Sequence, residues 1–337
     1  MPKISMRSQR DAGISRRCAL AALASALSYG MSVKAFGQDV TFPNRPLRFV
    51  MPFLPAGAAD LIGRLYTKAL AEMTGQAVVP DNKPGANGLI GVQNVQRSPR
   101  DGYSVLIGSS STLAFNAATY KNLPYDPVKD FVPVALVATL PVVLVASSRS
   151  SLRSSADLVR RAKERPGALN YGTGFTALQL QAKWMNEMTG IKTTAITFKG
   201  GGEVVSAVLS NTVDVALLDL SAASALIRSG QLRGLALGAS QTYASLPDVP
   251  TTAQLGLGGY AGELWVIAAV ATGTPKSIID YYATQFAKAA EQPYVREWLR
   301  ERDLCYALKS VAELKSTIAG DIERTNKLVD RLGLERT

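Results

Sequence analysis

A regular alternation between short apolar runs and amphipathic stretches constrains the fold of this 337-residue chain more than any other feature. Leu47 to Phe53 is typical of a buried strand, and the apolar stripe that follows Asp60 is typical of a helix ended by Gly75. The next predicted elements are a strand at 77–79, a helix after the Gly-rich turn at 84–88 and a strand at 103–107. Because strands recur about every 28 residues with helices between them, the pattern predicts a parallel sheet covered by helices.

The same alternation resumes after Pro141 and predicts a second α/β unit. Further strands are predicted at 142–146, 169–171, 194–198, 213–217, 235–237 and 264–270. The last 60 residues are helical, with breaks at Pro293 and near 308–310, and lack a sheet of their own. We therefore expect them to pack on the first unit, which makes its lobe discontinuous. The predicted domains are a first lobe of residues 38–140 and 252–337 and a second lobe of residues 141–251, an arrangement suited to closing on a ligand.

The absence of histidine excludes more function classes than any other compositional feature. Without it there is no Ser-His-Asp triad, no Cys-His pair and no His-ligated metal site. The two cysteines, Cys18 and Cys305, cannot form a thiolate metal cage, so neither a metal nor a cofactor is expected. The net charge of +11 falls to +6 once residues 1–37, with six basic residues and one acid, are set aside. So small a surplus in a chain of this length argues against nucleic-acid binding.

The first 37 residues have the three-part pattern of a secretory signal peptide. Residues 1–17 are polar and basic, residues 18–33 are small and apolar, and residues 35–37 place small side chains where a signal peptidase reads them. The Ser-Arg-Arg sequence at 15–17 resembles a twin-arginine signal, and an ordinary charged segment is the alternative. We expect a mature chain that begins near Gln38, lies in the periplasm and has one cysteine, so that no intrachain disulfide forms.

Four loops follow predicted strands at the edge of the sheet where α/β proteins bind ligands. The first loop, residues 52–60, is rich in small residues and leads into a helix, whose N-terminal amides favour a carboxylate or phosphate. The second loop, residues 108–112, offers hydroxyl groups without charge. The alternatives for these loops are a plain strand-to-helix turn and a solvated Ser-rich turn.

The third loop, residues 171–177, matches a G-x-G-x-x-A dinucleotide fingerprint, but no acidic residue follows about 20 residues later. A carboxylate-binding loop uses the same backbone amides and fits better than a dinucleotide site. The fourth loop, residues 199–202, places Lys199 before three glycines, where its ammonium group either offsets ligand charge or is solvated. Asp214 and Asp219 flank an apolar run. Asp219 either accepts a hydrogen bond from a ligand or caps the next helix.

Several stretches occur in an order and spacing that carry a family resemblance. The most specific is LPYDPVKDFVPVALVA at 123–138. The others are FPNRPLRFVMPFLPAG from 42, NKPGANGLIG from 82, DGYSVLIGSSST from 101, LNYGTG from 169, TFKGGGE from 197, LPDVPT from 246 and TGTP from 272. From about residue 42 to residue 332 the chain resembles the periplasmic substrate-binding receptors of tripartite tricarboxylate transporters, also called Bug proteins.

The resemblance implies an α/β, two-lobed periplasmic binding protein of type II with a discontinuous first domain and no catalysis. It implies a small organic acid held between the lobes, transmembrane permease subunits as partners, and a monomeric receptor. It places an aromatic residue, Trp265, near the hinge. The ligand-binding residues that it implies are Phe53, Pro55, Ala56, Gly57, Ala58, Asp60, Ser109, Ser110, Thr112, Tyr171, Gly172, Thr173, Gly174, Phe175, Lys199, Gly200 and Asp219.

Two loops depart from the family pattern. Where the family usually reads P-G-G-G-T-D, this chain reads P-A-G-A-A-D, so alanines stand at 56, 58 and 59. If either former glycine position needs a positive φ, alanine there costs about 1 kcal/mol. The third loop is shorter than usual and gains Phe175. These changes predict a smaller, more apolar pocket and favour an aromatic or monocarboxylic acid over an ordinary dicarboxylate.

Two other functions compete with a transport receptor. A sensor that reports its ligand to a membrane signalling partner shares the fold and pocket, so the sequence does not separate the two. A secreted enzyme is the weaker alternative, because the chain has no histidine, no G-x-S-x-G motif and no cysteine in a candidate loop. A Ser-Lys pair from Ser110 and Lys199 is the one catalytic arrangement that the sequence leaves open.

Overall fold

The computed structural model describes residues 42–174, 176–239, 242–243, 245–257 and 262–336. The predicted signal peptide lies outside the described residues. Within them, no helix combines the length and the apolar character that a membrane span requires.

The elements of the N-terminal part follow the predicted strand-helix order. They are β1 (Leu47–Met51), α1 (Ala58–Thr74), β2 (Val78–Asn82), α2 (Leu89–Gln96) and β3 (Ser104–Ser109), followed by a helical turn (Ser111–Phe115) that continues into α3 (Asn116–Thr119). β1 lies between β2 and β3 and pairs parallel with both. Gly75 ends α1 in the left-handed conformation, with φ of 69°. The predicted parallel sheet and the predicted end of the first helix are both confirmed.

The central part contributes a long strand and four further strands. Its elements are β4 (Phe131–Ser147), α4 (Ser155–Glu164), β5 (Asn170–Thr173), α5 (Thr176–Thr189), β6 (Thr194–Thr197), α6 (Gly201–Leu209), β7 (Val215–Asp219), α7 (Leu220–Arg228) and β8 (Leu232–Gly238). β5 pairs parallel with β6 and β7, whereas β4 pairs antiparallel with β7 and β8. The predicted second α/β unit is therefore present.

The strand β4 is much longer than the predicted 142–146. Its first part, residues 131–141, pairs antiparallel with β9 (Glu263–Ala271), and its second part pairs with β7 and β8. Pro133 and Pro141 hide this strand in the sequence, because proline lacks the N–H group that a strand interior uses. The structure accommodates Pro133 at a register shift, between Pro133 and Ala135. One nine-stranded sheet results, in the order β2-β1-β3-β9-β4-β7-β5-β6, with β8 also on β4.

We call β1–β3, β9 and residues 131–141 of β4 the first lobe, and β5–β8 and residues 142–147 the second lobe. The chain passes between them along β4 and again between β8 and β9. At the second passage a Cβ atom on Gly238 would lie 2.8 Å from Gly262 Cα and 2.8 Å from Val142 Cγ2, so the passages are in contact. The exact domain boundaries stay a prediction.

The C-terminal helices contact elements of the first lobe. They are α8 (Lys276–Glu291), α9 (Pro293–Glu301) and α10 (Val311–Arg331). Phe286 of α8 lies with its ring centroid 5.6 Å from that of Tyr66 on α1 and 5.9 Å from that of Phe49 on β1. All three side chains are fully buried, which fixes the C-terminal segment to the core of the first lobe.

Candidate functional site

The first and second loops lie side by side, because they follow the adjacent parallel strands β1 and β3. The turn before α2 joins them. A Cβ atom on Gly88, whose φ is +87°, would lie 2.6 Å from Thr112 Cγ2 and 3.1 Å from Pro52 Cβ. Only glycine fits this left-handed position without displacing its neighbours. The sequence prediction that these loops share one edge of the sheet is therefore met for the first lobe.

The buried carboxylate of Asp60 fixes the conformation of the first loop. Asp60 Oδ2 accepts hydrogen bonds from the backbone N–H of Ala56 and from Arg64 Nε, both at 2.9 Å, and Asp60 Oδ1 accepts one from Asn82 Nδ2 at 2.7 Å. Asn82 also donates to the carbonyl of Phe53 at 3.2 Å. Burial raises the pKa of Asp60, but these hydrogen bonds outweigh it and hold the pKa below its usual value. The Asp60 side chain is 1% exposed, so it acts on a ligand only through the loop.

The alanines of the first loop differ in their backbone. Ala56 has φ of +67°, in the left-handed region that favours glycine, whereas Ala58 is the first residue of α1. Gly57 is the N-cap residue of α1, with φ of −75°, and makes no side-chain cap. The expected cost of about 1 kcal/mol for replacing glycine therefore applies at Ala56 and not at Ala58. Pro55 completes the same turn.

Two buried hydroxyl groups of the second loop have no hydrogen-bond partner in the part of the chain that the structure describes. Ser109 and Ser110 are 8% and 1% exposed, and the groups concerned are their Oγ atoms. Thr112 differs, because its Oγ1 donates to the Ser109 carbonyl at 3.1 Å and accepts the Ser109 N–H at 3.0 Å. A buried polar group without a partner costs free energy unless something else satisfies it. The two serines are therefore the polar groups of this loop whose hydrogen-bonding capacity is not used by the described residues.

The third and fourth loops meet in the second lobe. A Cβ atom on Gly174 would lie 2.8 Å from the carbonyl carbon of Gly200, and the N–H of Phe198 donates to the Thr173 carbonyl at 2.8 Å. Gly172 lies in β5, beside Val213 and Val204. The structure thus brings the ends of β5 and β6 together, as predicted. Phe175 lies outside the described residues.

The Tyr171 side chain turns into the core of the second lobe. Its hydroxyl donates to the Leu178 carbonyl at 2.9 Å, and the side chain is 3% exposed. Its ring borders a small apolar void together with Leu144 and Leu217. Burial raises its pKa far above the usual value. Only the backbone of Tyr171 is left to take part in binding.

The side chains of the two charged residues predicted in the second lobe have no partner among the described residues. Lys199 forms no ion pair there, and its backbone N–H donates to Glu203 Oε2 at 3.1 Å. Asp219 occupies the N-cap position of α7 without making a side-chain cap. Burial raises the pKa of Asp219 to about 6. Asp219 thus stands at the N-cap position without capping the helix, and its carboxylate remains available to a ligand.

A cavity of about 190 Å³ lies between the lobes, and the sequence did not reveal it. Phe115 and Leu328 of the first lobe line one side, Trp184 of α5 lines the other, and Glu263 and Arg331 also border it. These residues come from separate elements, and the α10 residues look like a solvated helix face in the sequence. Trp265, expected near the hinge, is buried close by. Its Nε1 donates to Asp321 Oδ2 at 2.6 Å.

The four loops contain donors that suit an anion. They are hydroxyls, main-chain amides at a helix N-terminus and one ammonium group. In the described part of the chain, no three Cys, Asp or Glu side chains are grouped so as to hold a metal ion.

Comparison with known proteins extends this picture. The sequence profile of the tripartite tricarboxylate transporter family receptor matches residues 62–334. Protein BugT of Bordetella pertussis is 32% identical over 298 residues, which cover 87% of this chain and 91% of BugT.

Two solved structures resemble the whole described fold. An R. palustris protein solved with adipate is 29% identical, with a TM-score of 0.82 over 87% of this chain and 99% of the other. MatC from Rhodopseudomonas palustris with bound malate is 26% identical, with a TM-score of 0.79 over 86% of this chain and 100% of MatC. The similarity of backbone confirms the predicted two-lobed α/β fold class.

Proposed function

Because this chain belongs to the receptor family of tripartite tricarboxylate transporters, we propose that it captures a small organic acid between its two lobes for delivery to a membrane transporter. The observation that carries the proposal is the pair of buried, unpartnered hydroxyls of Ser109 and Ser110 beside the N-terminus of α1. A carboxylate accepts hydrogen bonds from hydroxyls and from the free amides of a helix N-terminus. The site therefore suits a carboxylate.

The loops of the second lobe supply the other side of the proposed site. Gly172 to Gly174, Gly200 and the side chains of Lys199 and Asp219 lie at the carboxyl ends of parallel strands. The Lys199 ammonium group attracts an acid, whereas Asp219 repels one unless it is protonated or bonds to a ligand hydroxyl or amine. Adipate and malate, the acids bound by the two solved relatives, are the first ligands to test.

The proposals on cellular location, oligomeric state and partners rest on the same family membership. We propose that residues 1–37 direct the chain to the periplasm and are removed, and that the receptor works as a monomer. Its partners are the permease subunits of a tripartite transporter. No catalytic step is proposed, since the site binds and releases its ligand unchanged.

Thermal unfolding tests the proposal against a panel of malate, adipate, benzoate, amino acids and NAD. A ligand present at 100 times its dissociation constant stabilises the protein by about 2.7 kcal/mol, which raises the melting temperature by several degrees. The shift should be lost in the double variant Ser109→Ala, Ser110→Ala and kept in Ser206→Ala, an exposed serine on α6. A shift with NAD alone, or no shift with any acid, contradicts the proposal.

A further inference from the structure

Two ion pairs join the first lobe to the second. Arg331 Nε of α10 lies 2.8 Å from Glu187 Oε1 of α5, and Arg228 Nη1 of α7 lies 3.5 Å from Asp303 Oδ2. The helix α5 packs on β5 and β7 and also contacts the helical turn after β3. The helix α7 packs on β4, β7 and β8, and α10 packs on β4 and on the same helical turn. All other ion pairs between described residues lie within one lobe. These two pairs therefore depend on how the lobes are arranged.

The Arg331–Glu187 pair lies at the edge of the interlobe cavity. Arg331 borders this cavity from α10, and Trp184, which precedes Glu187 by three residues on α5, borders it from the other lobe. The cavity beside the pair has a volume of about 190 Å³ and is lined by Phe115, Leu328 and Trp184, among others. The ion pair is thus a direct link between α10 and α5 beside this cavity.

The Arg331–Glu187 pair lies far from the passages between the lobes, so its separation is sensitive to lobe closure. Asp321 lies beside the passage between the lobes, since it accepts the Trp265 hydrogen bond and Trp265 pairs with Thr139 of β4. Arg331 is ten residues further along α10, about 15 Å at the usual rise per residue. A rotation about the passages moves Arg331 and Glu187 apart more than it moves residues near Asp321. Glu187 is also in the last turn of α5, where a facing cation is favoured by the helix dipole.

We propose that Arg331 and Glu187 are positioning residues that hold the lobes in the arrangement of this structure, that this arrangement is the ligand-binding one, and that the pair so raises ligand affinity without touching the ligand. The inference rests on the proposed function, because it assumes that the bound acid lies between the lobes. Both side chains are partly exposed, 56% for Arg331 and 33% for Glu187. An ion pair of that exposure changes an equilibrium constant about two- to fivefold.

Charge reversal tests the proposal with adipate and malate as probes. Arg331→Glu places two carboxylates together and should weaken binding by about five- to tenfold, mainly through faster dissociation. The double variant Arg331→Glu, Glu187→Arg restores an opposite pair and should recover most of the affinity. Lys315→Glu makes the same charge change at an exposed position of α10 and should leave the affinity unchanged. Equal losses in Arg331→Glu and Lys315→Glu, or no rescue in the double variant, would overturn the proposal.

Small-angle scattering of the ligand-free protein separates this proposal from the proposed function. At low salt the wild type should be more compact than Arg331→Glu, and the difference should vanish near 1 M salt, where the Debye length is about 3 Å. If the wild type binds no acid, the proposed function fails, whereas the scattering difference still tests the ion pair. Equal radii of gyration for the two proteins at low salt would refute the positioning role.

Discussion

The carboxylate of Asp60 accepts the backbone N–H of Ala56 at 2.9 Å, so a buried side chain in the first turn of α1 determines the path of the loop before it. The same oxygen also accepts a hydrogen bond from Arg64, and the other oxygen bonds to Asn82. The N–H of Ala56 is thereby used inside the protein. The amides left for an anion are those at the start of the helix.

Replacing Asp60 by asparagine should destabilise the protein by about 2–3 kcal/mol, because an amide group would point a donor at Asn82 or at Arg64 and Ala56. Chemical denaturation at pH 7 measures the loss. Asp280→Asn, which alters an exposed carboxylate paired with Lys276, should change the stability by less than about 0.5 kcal/mol. Equal stability of Asp60→Asn and the wild type would show that the network contributes nothing.

Glycine at position 56 should stabilise the protein, since Ala56 has φ of +67° and glycine adopts that conformation without strain. We expect a gain of about 1 kcal/mol from Ala56→Gly in equilibrium unfolding. Ala58→Gly serves as the matched control, because Ala58 begins α1 and glycine lowers helix stability there. The prediction fails if both variants shift the unfolding midpoint in the same direction.

Removal of the Ser110 hydroxyl should weaken ligand binding without weakening the fold. Ser110 Oγ is buried and has no partner, so Ser110→Ala removes an unsatisfied polar group and leaves the stability equal or up to about 1 kcal/mol higher. Thr112→Val removes two hydrogen bonds to Ser109 and should instead destabilise the ligand-free protein by about 1–2 kcal/mol. Calorimetric titration with malate or adipate, next to thermal unfolding, separates the two effects. A Ser110→Ala protein with full affinity would remove this hydroxyl from the site.

Asp219 should make the stability depend on pH. Burial raises its pKa in the folded protein to about 6, whereas an unfolded Asp titrates near about 3.9. The folded protein binds this proton more tightly, so Asp219 makes the stability fall as the pH rises from about 4 to about 6.

Unfolding curves at pH 4, 5, 6 and 7 for the wild type and Asp219→Asn test this dependence. The variant lacks the titrating group, so the difference in stability between the two proteins should grow in favour of the variant from pH 4 to pH 6 and then level off. Asp280→Asn again controls for the loss of one surface charge. A constant difference across the series would mean that the Asp219 pKa is unshifted.

Local patterns predicted much of the fold and of the first-lobe site. The Asp60 helix, its end at Gly75 and the parallel arrangement of β1, β2 and β3 follow from the period of apolar residues and from a glycine after the last turn. The clustering of the first and second loops then follows from the parallel strands. The first part of β4, residues 131–141, was not predicted. Pro133 and Pro141 interrupt the strand pattern in the sequence, and only the pairing with β9 offsets their effect.

The chemical inventory and the alternation of elements were determined by the sequence itself. A chain with no histidine, small residues after its strands and the motifs of a receptor family contains groups that can bind an acid and has no histidine-based catalytic triad. The tertiary structure alone decided which groups are free. The Asp60 carboxylate is hydrogen-bonded to its own loop, and the Tyr171 hydroxyl is hydrogen-bonded within the core. The hydroxyls of Ser109 and Ser110 have no partner among the described residues. Hydrogen-bond satisfaction and the Arg331–Glu187 contact depend on residues distant in sequence, and no local pattern records those distances.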